Sequence, residues 1–390
     1  MRSRDIALLY DEEKLTMNIA VDAFPLAAKS ASGIPNYSRQ ILDYLLQIDT
    51  QNDYFLYCRN PIASVPAGNG HMRSSPSAKE SSTSYGNTIW LFTQGIRLMK
   101  KDKIDILWGT RQMLPPYVPK GMRKVLTVHD LVWHYFPETM DRYNLLVMKI
   151  FAGRSIKAAD HIIAVSEATG RAIVDILGVR REKISVIPHG ADDYTTLDRK
   201  SSAEYISGKY RTSRDYILTV STVEPRKNLK TLLAVYSRLR NGGAPQLLIA
   251  GASGWKTSSI YAEHQGLGLS EEEVKFLGYV PDEDMNRLYS GARLFLFPSA
   301  YEGFGMPLLE AMAAGTPVIA SNSSSLPEVA GSAGILLDPY DVEAWRASIA
   351  KVLSEESFRN KLAADGVERS RQFSWKKAAR QTLEVFERFA

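Results

Sequence analysis

Two glutamates bracket a glycine-rich turn in Tyr301-Glu302-Gly303-Phe304-Gly305-Met306-Pro307-Leu308-Leu309-Glu310, and the residue types there suit an anion. The stretch follows an apolar run, Leu294-Phe295-Leu296-Phe297-Pro298, and continues into Ala311-Met312-Ala313-Ala314-Gly315-Thr316-Pro317-Val318. That order reads as strand, turn, short helix and stop. Gly303 and Gly305 permit a close ligand approach that a side chain would block. Pro307 fits a first helical turn, and Glu310, three residues on, is expected to be stabilised by the helix field. Backbone N–H groups at such a turn, backed by a helix N-terminus, suit a phosphate. The bland alternative is a left-handed turn followed by a helix-stabilising glutamate.

A second signal is Ser221-Thr222-Val223-Glu224-Pro225-Arg226-Lys227-Asn228, directly after an apolar strand ending at Val220. Adjacent Arg226 and Lys227 at a cleft mouth suit a diphosphate and the negative charge it carries away on leaving. Alone, the segment reads better as a solvated basic loop with Asn228 capping the next helix; the glycine turn in the same half of the chain reverses that preference in favour of phosphate. His129-Asp130 ends the strand 124–128, where the imidazole can meet a sugar hydroxyl or a reacting anomeric centre, or sit as a satisfied core residue. Gly33 lies between a first strand and a helix and allows backbone approach to phosphate from the opposite side.

Other candidates fail on spacing. Gly251-Ala252-Ser253-Gly254-Trp255-Lys256-Thr257 lacks the glycine spacing of a nucleoside-triphosphatase loop, and Trp255 stands where a hydrolase elbow needs glycine. His129, His134 and Glu138 do not make a zinc spacing. Asp282-Glu283-Asp284 follows Pro281 and reads better as helix capping than as a metal site, so no metal is expected. His189-Gly190 reads as a shaper of the junction between the two halves.

These sites need a scaffold. At 390 residues two domains are the default. Short strands alternate with helices: Met17–Asp22, Tyr54–Cys58, Ile106–Trp108, Lys124–Val128, His161–Val165 and Ile184–Ile187, with a helix at Thr169–Leu177. A second alternating unit runs from Tyr216–Val220 through Gln246–Ala250, Val274–Leu277, Leu294–Phe297, Val318–Ala320 and Gly334–Leu337. This predicts two doubly wound α/β domains with parallel sheets, facing a cleft at the carboxyl ends of their strands. Residues 195–214 are polar and read as a linker, and 73–86 as a surface loop. The single cysteine, Cys58, excludes an intrachain disulfide or a thiolate metal cluster. No apolar run reaches the roughly 18 residues of a membrane span, and no secretory signal is expected at the N-terminus. The excess of 48 basic over 43 acidic residues suits anionic ligands or headgroups but is too small and dispersed for nucleic acid.

On these motifs the chain resembles the retaining glycosyltransferases with two Rossmann-like domains, family 4, of GT-B fold. Glu302–Glu310 resembles the family's two-glutamate motif and Val220–Asn228 its donor-phosphate loop. Further matches are Ser32–Tyr37, Thr127–Leu131, Val165-Ser166-Glu167 and Ile187–Gly190. The resemblance implies that Glu302 lies over the donor sugar, Glu310 holds the ribose hydroxyls, and Arg226 and Lys227 bind the diphosphate. It implies that Gly33 contacts the diphosphate across the cleft, that His129 lies by the sugar, and that Gly303, Phe304, Gly305 and Met306 seat sugar and phosphate. Thr222 replaces an arginine common in the family and Ser221 the usual glycine, which shifts phosphate binding onto Arg226 and Lys227. The Glu-Pro-Arg-Lys-Asn variant resembles bacterial mannosyltransferases.

The implied organisation is an acceptor-side domain over 1–194, the linker 195–214, a donor-binding domain over 215–372, and a helix over 373–390 returning to the first domain. The implied reaction transfers a hexose with retention and without metal. The preferred donor is GDP-mannose, with another nucleotide sugar such as a deoxyhexose donor as the alternative. The acceptor is a lipid-linked or growing bacterial surface saccharide and the setting cytoplasmic. Peripheral contact with an anionic inner membrane through Arg142–Lys157 competes with a core-facing helix there. An epimerase or phosphorylase of the same plan and a noncatalytic nucleotide-sugar binder are the rival readings.

Overall fold

The computed structural model describes residues 16–27, 33–59, 62, 69–73, 84–140 and 142–390. The expectation for the extreme N-terminus, residue Ser32 of the first motif and most of the loop 73–86 lie outside these residues. At that loop's ends, Arg73 closes a strand and Ser84–Trp90 is helical.

Seven strands make the first sheet: β1 (Asn18–Asp22), β2 (Asp53–Tyr57), β3 (Gly70–Arg73), β4 (Ile106–Gly109), β5 (Arg123–Val128), β6 (His161–Ala164) and β7 (Ile184–Val186). Their order is β3-β2-β1-β4-β5-β6-β7, every pair parallel. The second sheet holds β8 (Tyr216–Val220), β9 (Gln246–Ala250), β10 (Val274–Gly278), β11 (Phe295–Phe297), β12 (Val318–Ser321) and β13 (Ile335–Leu337) in the order β10-β9-β8-β11-β12-β13, also parallel. Central strands such as Ile106–Gly109 and Val318–Ser321 are buried along their whole length, so they read as continuous apolar runs instead of alternating ones. In each sheet the strand order reverses beside its first strand, between β1 and β4 and between β8 and β11. Loops leaving the carboxyl ends there diverge and open a crevice.

Helices cover both faces. In α1 (Ile34–Ile48), Pro35 lies in the first turn and Tyr37, Ile41, Leu42 and Leu45 form one buried face. That face receives the last helix of the chain. Trp375, Ala378, Ala379, Val385 and Phe386, on Trp375–Glu387, lie in the same apolar cluster as Tyr37, Ile41 and Leu45. The carboxyl-terminal helix therefore sits on the first domain. The chain crosses between domains twice, side by side: the Trp375 N–H donates to Asp192 at 2.7 Å, and a Cβ on Gly190 would stand 2.1 Å from the Trp375 nitrogen.

The linker expectation needs correction. Arg199–Tyr210 is a helix whose Ala203 and Ile206 enter the core of the second domain with Tyr216 and Leu288. Asp198 caps it, accepting from the Ser201 N–H. Its polarity hid it, because part of its docking runs through hydrogen bonds. Asp284, buried on the helix Asp282–Gly291, accepts from Tyr205 at 2.8 Å and Tyr210 at 2.5 Å and pairs with Lys209 at 2.6 Å. The same contacts correct the capping assignment of Asp282-Glu283-Asp284. Pro281 is the cap residue there, and no side chain caps the helix.

Candidate active site

The crevice of the second sheet brings two loops together. After β8, Glu224 leads into a single turn, Pro225–Lys227, that points Arg226 and Lys227 toward β11. After β11, Ser299 to Glu302 comes back to meet them. The Glu302 carboxylate accepts from Lys227 Nζ at 2.5 Å, from Ser299 Oγ at 2.6 Å and from Arg226 at 3.3 Å. Arg226 also donates to the Tyr301 carbonyl at 2.6 Å and to Glu224 at 2.7 Å. Two carboxylates thus balance two cations, and all four side chains are nearly buried.

The electrostatics follow from that enclosure. Burial alone raises the Glu302 pKa, but Lys227 and Arg226 more than offset it, and the carboxyl is held below its ordinary value. Burial and the neighbouring Arg226 hold the Lys227 ammonium below its usual range, against the pull of Glu302. For Arg226 burial opposes the charge, yet Glu302 and Glu224 win and its pKa is raised.

Gly303 is where the domains touch. A Cβ there would lie 1.8 Å from the His129 carbonyl oxygen, so only glycine admits this approach. The Gly303 carbonyl accepts from Ser166 Oγ at 2.6 Å and Thr169 Oγ1 at 3.2 Å, and Tyr301 Oη accepts from the Leu131 N–H at 2.9 Å. Gly305 has φ 105°, a left-handed geometry, and starts the helix Met306–Ala313. Among the described residues, no protein acceptor takes the N–H groups of Gly303, Phe304, Gly305 or Met306. They remain as donors at a helix N-terminus.

A further cross-domain contact lies beside this one. Glu328, on Leu326–Ala330, accepts from the Glu167 and Ala168 N–H groups at 2.7 and 2.6 Å. These are the first N–H groups of the helix Glu167–Leu177, whose cap, Ser166, takes the Thr169 N–H. One domain therefore caps a helix of the other.

His129 is buried, and its Nε2–H donates to the Thr110 carbonyl at 2.8 Å, which fixes the tautomer. Burial lowers its pKa despite that bond and the nearby Asp130, so the ring is neutral. His189 packs among Tyr37, Phe304 and Trp375 at the junction of the domains, with its pKa well below the ordinary value through burial and His129.

Glu310 differs from the expectation of a helix-stabilised carboxylate. It lies beyond the first turn of Met306–Ala313, and burial, with Asp282 and Asp193, raises its pKa to about 7 against a hydrogen bond from Tyr289 at 2.8 Å. Gly33 stands at the N-terminus of Ile34–Ile48 with φ 61° and open space where a Cβ would be. Glu302, Arg226, Lys227, Gly303 and the His129 backbone are thus gathered at one point. Phe304, Gly305 and Met306 continue from it, Glu310 lies deeper along the helix, and Gly33 belongs to the opposite sheet.

Sequence reasoning missed several supports of this cluster. Ser299 bonds the Glu302 carboxylate, Ser324 Oγ accepts its N–H at 2.8 Å, and Ser325 Oγ donates to its carbonyl at 3.1 Å. Serines scattered through loops carry no spacing signal. Glu224 lies inside the basic motif, whose pattern signals only its two cations. The Gly251–Thr257 loop packs its glycines against the Ser221–Glu224 loop; a Cβ on Gly254 would stand 2.6 Å from Thr222. Among the described residues there is no group of three or more His, Cys, Asp or Glu that could hold a metal ion.

Two Rossmann-like domains with the nucleotide-side crevice closed over a glycine-rich turn define the GT-B class of glycosyltransferases. The comparisons agree. Residues 33–194 match the model for Glycosyltransferase Family 4 and 206–369 that for Glycosyl transferases group 1. The O-antigen chain mannosyltransferase B of Escherichia coli is 35% identical over 69% of this chain and 72% of its own length. The serotype-specific mannosyltransferase WbdA of the same organism is 33% identical over 59% of this chain, which spans only 29% of that longer protein. A sucrose-phosphate synthase from Thermosynechococcus elongatus superposes with a TM-score of 0.76 at 21% identity, covering 95% of this chain and 98% of that one. The chain belongs to the family 4 glycosyltransferases, and it is an enzyme.

Proposed function

We propose that the chain transfers a hexose, mannose from GDP-mannose, with retention of configuration onto a lipid-linked or growing bacterial surface saccharide. The observation that carries this reading is the Glu302–Arg226–Lys227 cluster in the crevice, closed against the His129 carbonyl. The choice of mannose is supported by the names of the Escherichia coli relatives.

In this reading the donor diphosphate competes with Glu302 and Glu224 for the Arg226 and Lys227 donors. The free N–H groups from Gly303 to Met306 add to its binding. The bond between the anomeric carbon and the diphosphate oxygen breaks, its electron pair leaving on that oxygen, where Arg226 and Lys227 stabilise it. The acceptor oxygen attacks from the same face, and its proton passes to the departing phosphate. A carboxylate held below its ordinary pKa is a weak base, so Glu302 serves to hold the sugar and balance charge. Glu310 takes the ribose hydroxyls, Gly33 approaches the diphosphate across the cleft, and neutral His129 lies by the sugar. No metal takes part in this scheme, and activity in excess chelator equal to that in its absence is the expected result.

The surface bears on the setting. The helical stretch from Arg142 to Ala158 buries Ala152, Ser155 and Ile156 and exposes Tyr143, Leu146, Ile150 and Phe151 among Arg142, Lys149, Arg154 and Lys157, with no acidic residue in the stretch. Among the described residues no helix is long and apolar enough to cross a membrane. The exposed apolar side chains set among basic ones support peripheral contact with an anionic membrane surface, in this reading the cytoplasmic face of the inner membrane. Flotation with vesicles containing anionic lipid but not with neutral ones is the expected result. For the reaction itself, a donor-by-acceptor screen with mass detection separates transfer from an epimerised sugar or a sugar phosphate. Turnover of another donor with none of GDP-mannose overturns the choice of mannose.

A further inference from the structure

The crevice of the first sheet, opposite the glycine turn, holds a polar cluster with no part in the scheme above. It lies where β1 and β4 end, at the point where the strand order reverses. Arg111 Nε donates to the buried Asp22 carboxylate at 2.6 Å, and another guanidinium nitrogen donates to Thr88 Oγ1 at 3.2 Å. The guanidinium sits 4.7 Å over the Phe24 ring. Its remaining terminal nitrogen is buried and has no partner among the described residues. Next to it in the chain, Gln112 is 5% exposed. Its amide nitrogen donates to Asp130 at 3.4 Å, while its amide oxygen is buried without a partner among the described residues. Asp130 in turn borders the glycine turn, since a Cβ on Gly303 would stand 3.0 Å from the Asp130 Cβ.

Neighbouring residues thus present one unclaimed donor and one unclaimed acceptor, which do not satisfy each other. Buried polar groups are rarely left in this state, because each loses its water without compensation. A pair of neighbouring hydroxyls answers both, one accepting from Arg111 and the other donating to Gln112. Charge narrows the ligand further. Asp22 neutralises Arg111, and Asp130 adds a negative charge beside Gln112, so no positive surplus remains for a phosphate.

We propose that Arg111 and Gln112 form the acceptor-recognition shelf and read adjacent hydroxyls of an uncharged saccharide, with Asp22 and Asp130 as positioning residues. This rests on the transferase reading and names its acceptor class.

The test measures binding directly, so it does not depend on turnover. Octyl glycosides of mannose, glucose, galactose and N-acetylglucosamine, and octyl mannoside 6-phosphate, are titrated against the full chain with GDP present. At least one neutral glycoside binds, about tenfold more tightly than the phosphorylated probe. Gln112→Leu weakens that glycoside about tenfold. It keeps the GDP affinity of the parent chain and melts close to the parent temperature, since the bond to Asp130 that it removes is long, at 3.4 Å, and it also removes a buried amide oxygen with no partner among the described residues. No glycoside binding, tighter binding of the phosphorylated probe, or unchanged glycoside affinity in a folded Gln112→Leu overturns the proposal. Release of GDP from GDP-mannose, assayed separately, shows whether the transferase reading itself has failed.

Discussion

The two glutamates of the glycine-rich segment share a side chain but not a state. Glu302 faces two cations and a serine hydroxyl and stays ionised; Glu310, eight positions on, is sunk among tyrosines with two other carboxylates in range and titrates at about 7. Both are buried, so burial does not separate them. The difference is whether the surrounding loops deliver positive charge. The Glu302 end is built for a permanent charge and the Glu310 end for a hydrogen-bonding group.

The largest break in this comparison comes from Glu302→Ala. Loss of transfer by roughly 100- to 1,000-fold is expected, because the cations lose their partner and, in the proposed scheme, the donor sugar its anchor. Turnover is measured alongside GDP binding and a thermal melt; unchanged turnover in a folded, donor-binding protein removes Glu302 from the mechanism. Gly303→Ala follows. Its added methyl meets the His129 carbonyl oxygen at 1.8 Å, so closure is blocked and transfer falls by about 100-fold while each domain still folds. Transfer at the parent rate would show that the contact is dispensable.

Glu310→Gln sharpens the contrast through pH. A raised folded pKa means that the group's favourable contribution is complete below its unfolded value of 4.5 and is lost as pH rises through about 7. The parent chain therefore weakens between those values, and the glutamine variant gains on it by on the order of 3 kcal/mol from pH 4 to pH 8. Urea unfolding at both values measures it. Glu302 has the opposite sign, since its lowered pKa makes stability fall as pH drops below the ordinary carboxylate range. The smallest effect is expected from Glu328→Gln, which weakens the cross-domain helix cap by about 1 kcal/mol and transfer about fivefold. Small-angle scattering then reports a larger radius.

The two ends also differ in how far they could be read in advance. Adjacent Arg226 and Lys227 and the glycines around Glu302 are dense, ordered signals, and the strand ends that carry them follow from apolar runs. The state of Glu310 depends on Tyr289, Asp282 and Asp193, which come from other elements, so no local pattern announces it. The strand Gly70–Arg73 was missed because it is short, polar and at the sheet edge. The helix Arg199–Tyr210 was missed because its contacts with Asp284 are polar, and periodicity registers only apolar faces. Tertiary partners are the common reason.

The paired crossings at Gly190 and Trp375 have a mechanical meaning. A single thread between domains would allow swivel about any axis. Two crossings pinned together by the Asp192 hydrogen bond resemble a door on two hinge pins, which would confine any movement of the halves to a swing about one line. An opening about that line would expose the same edge of the cleft each time, and closure would return Gly303 to the same carbonyl.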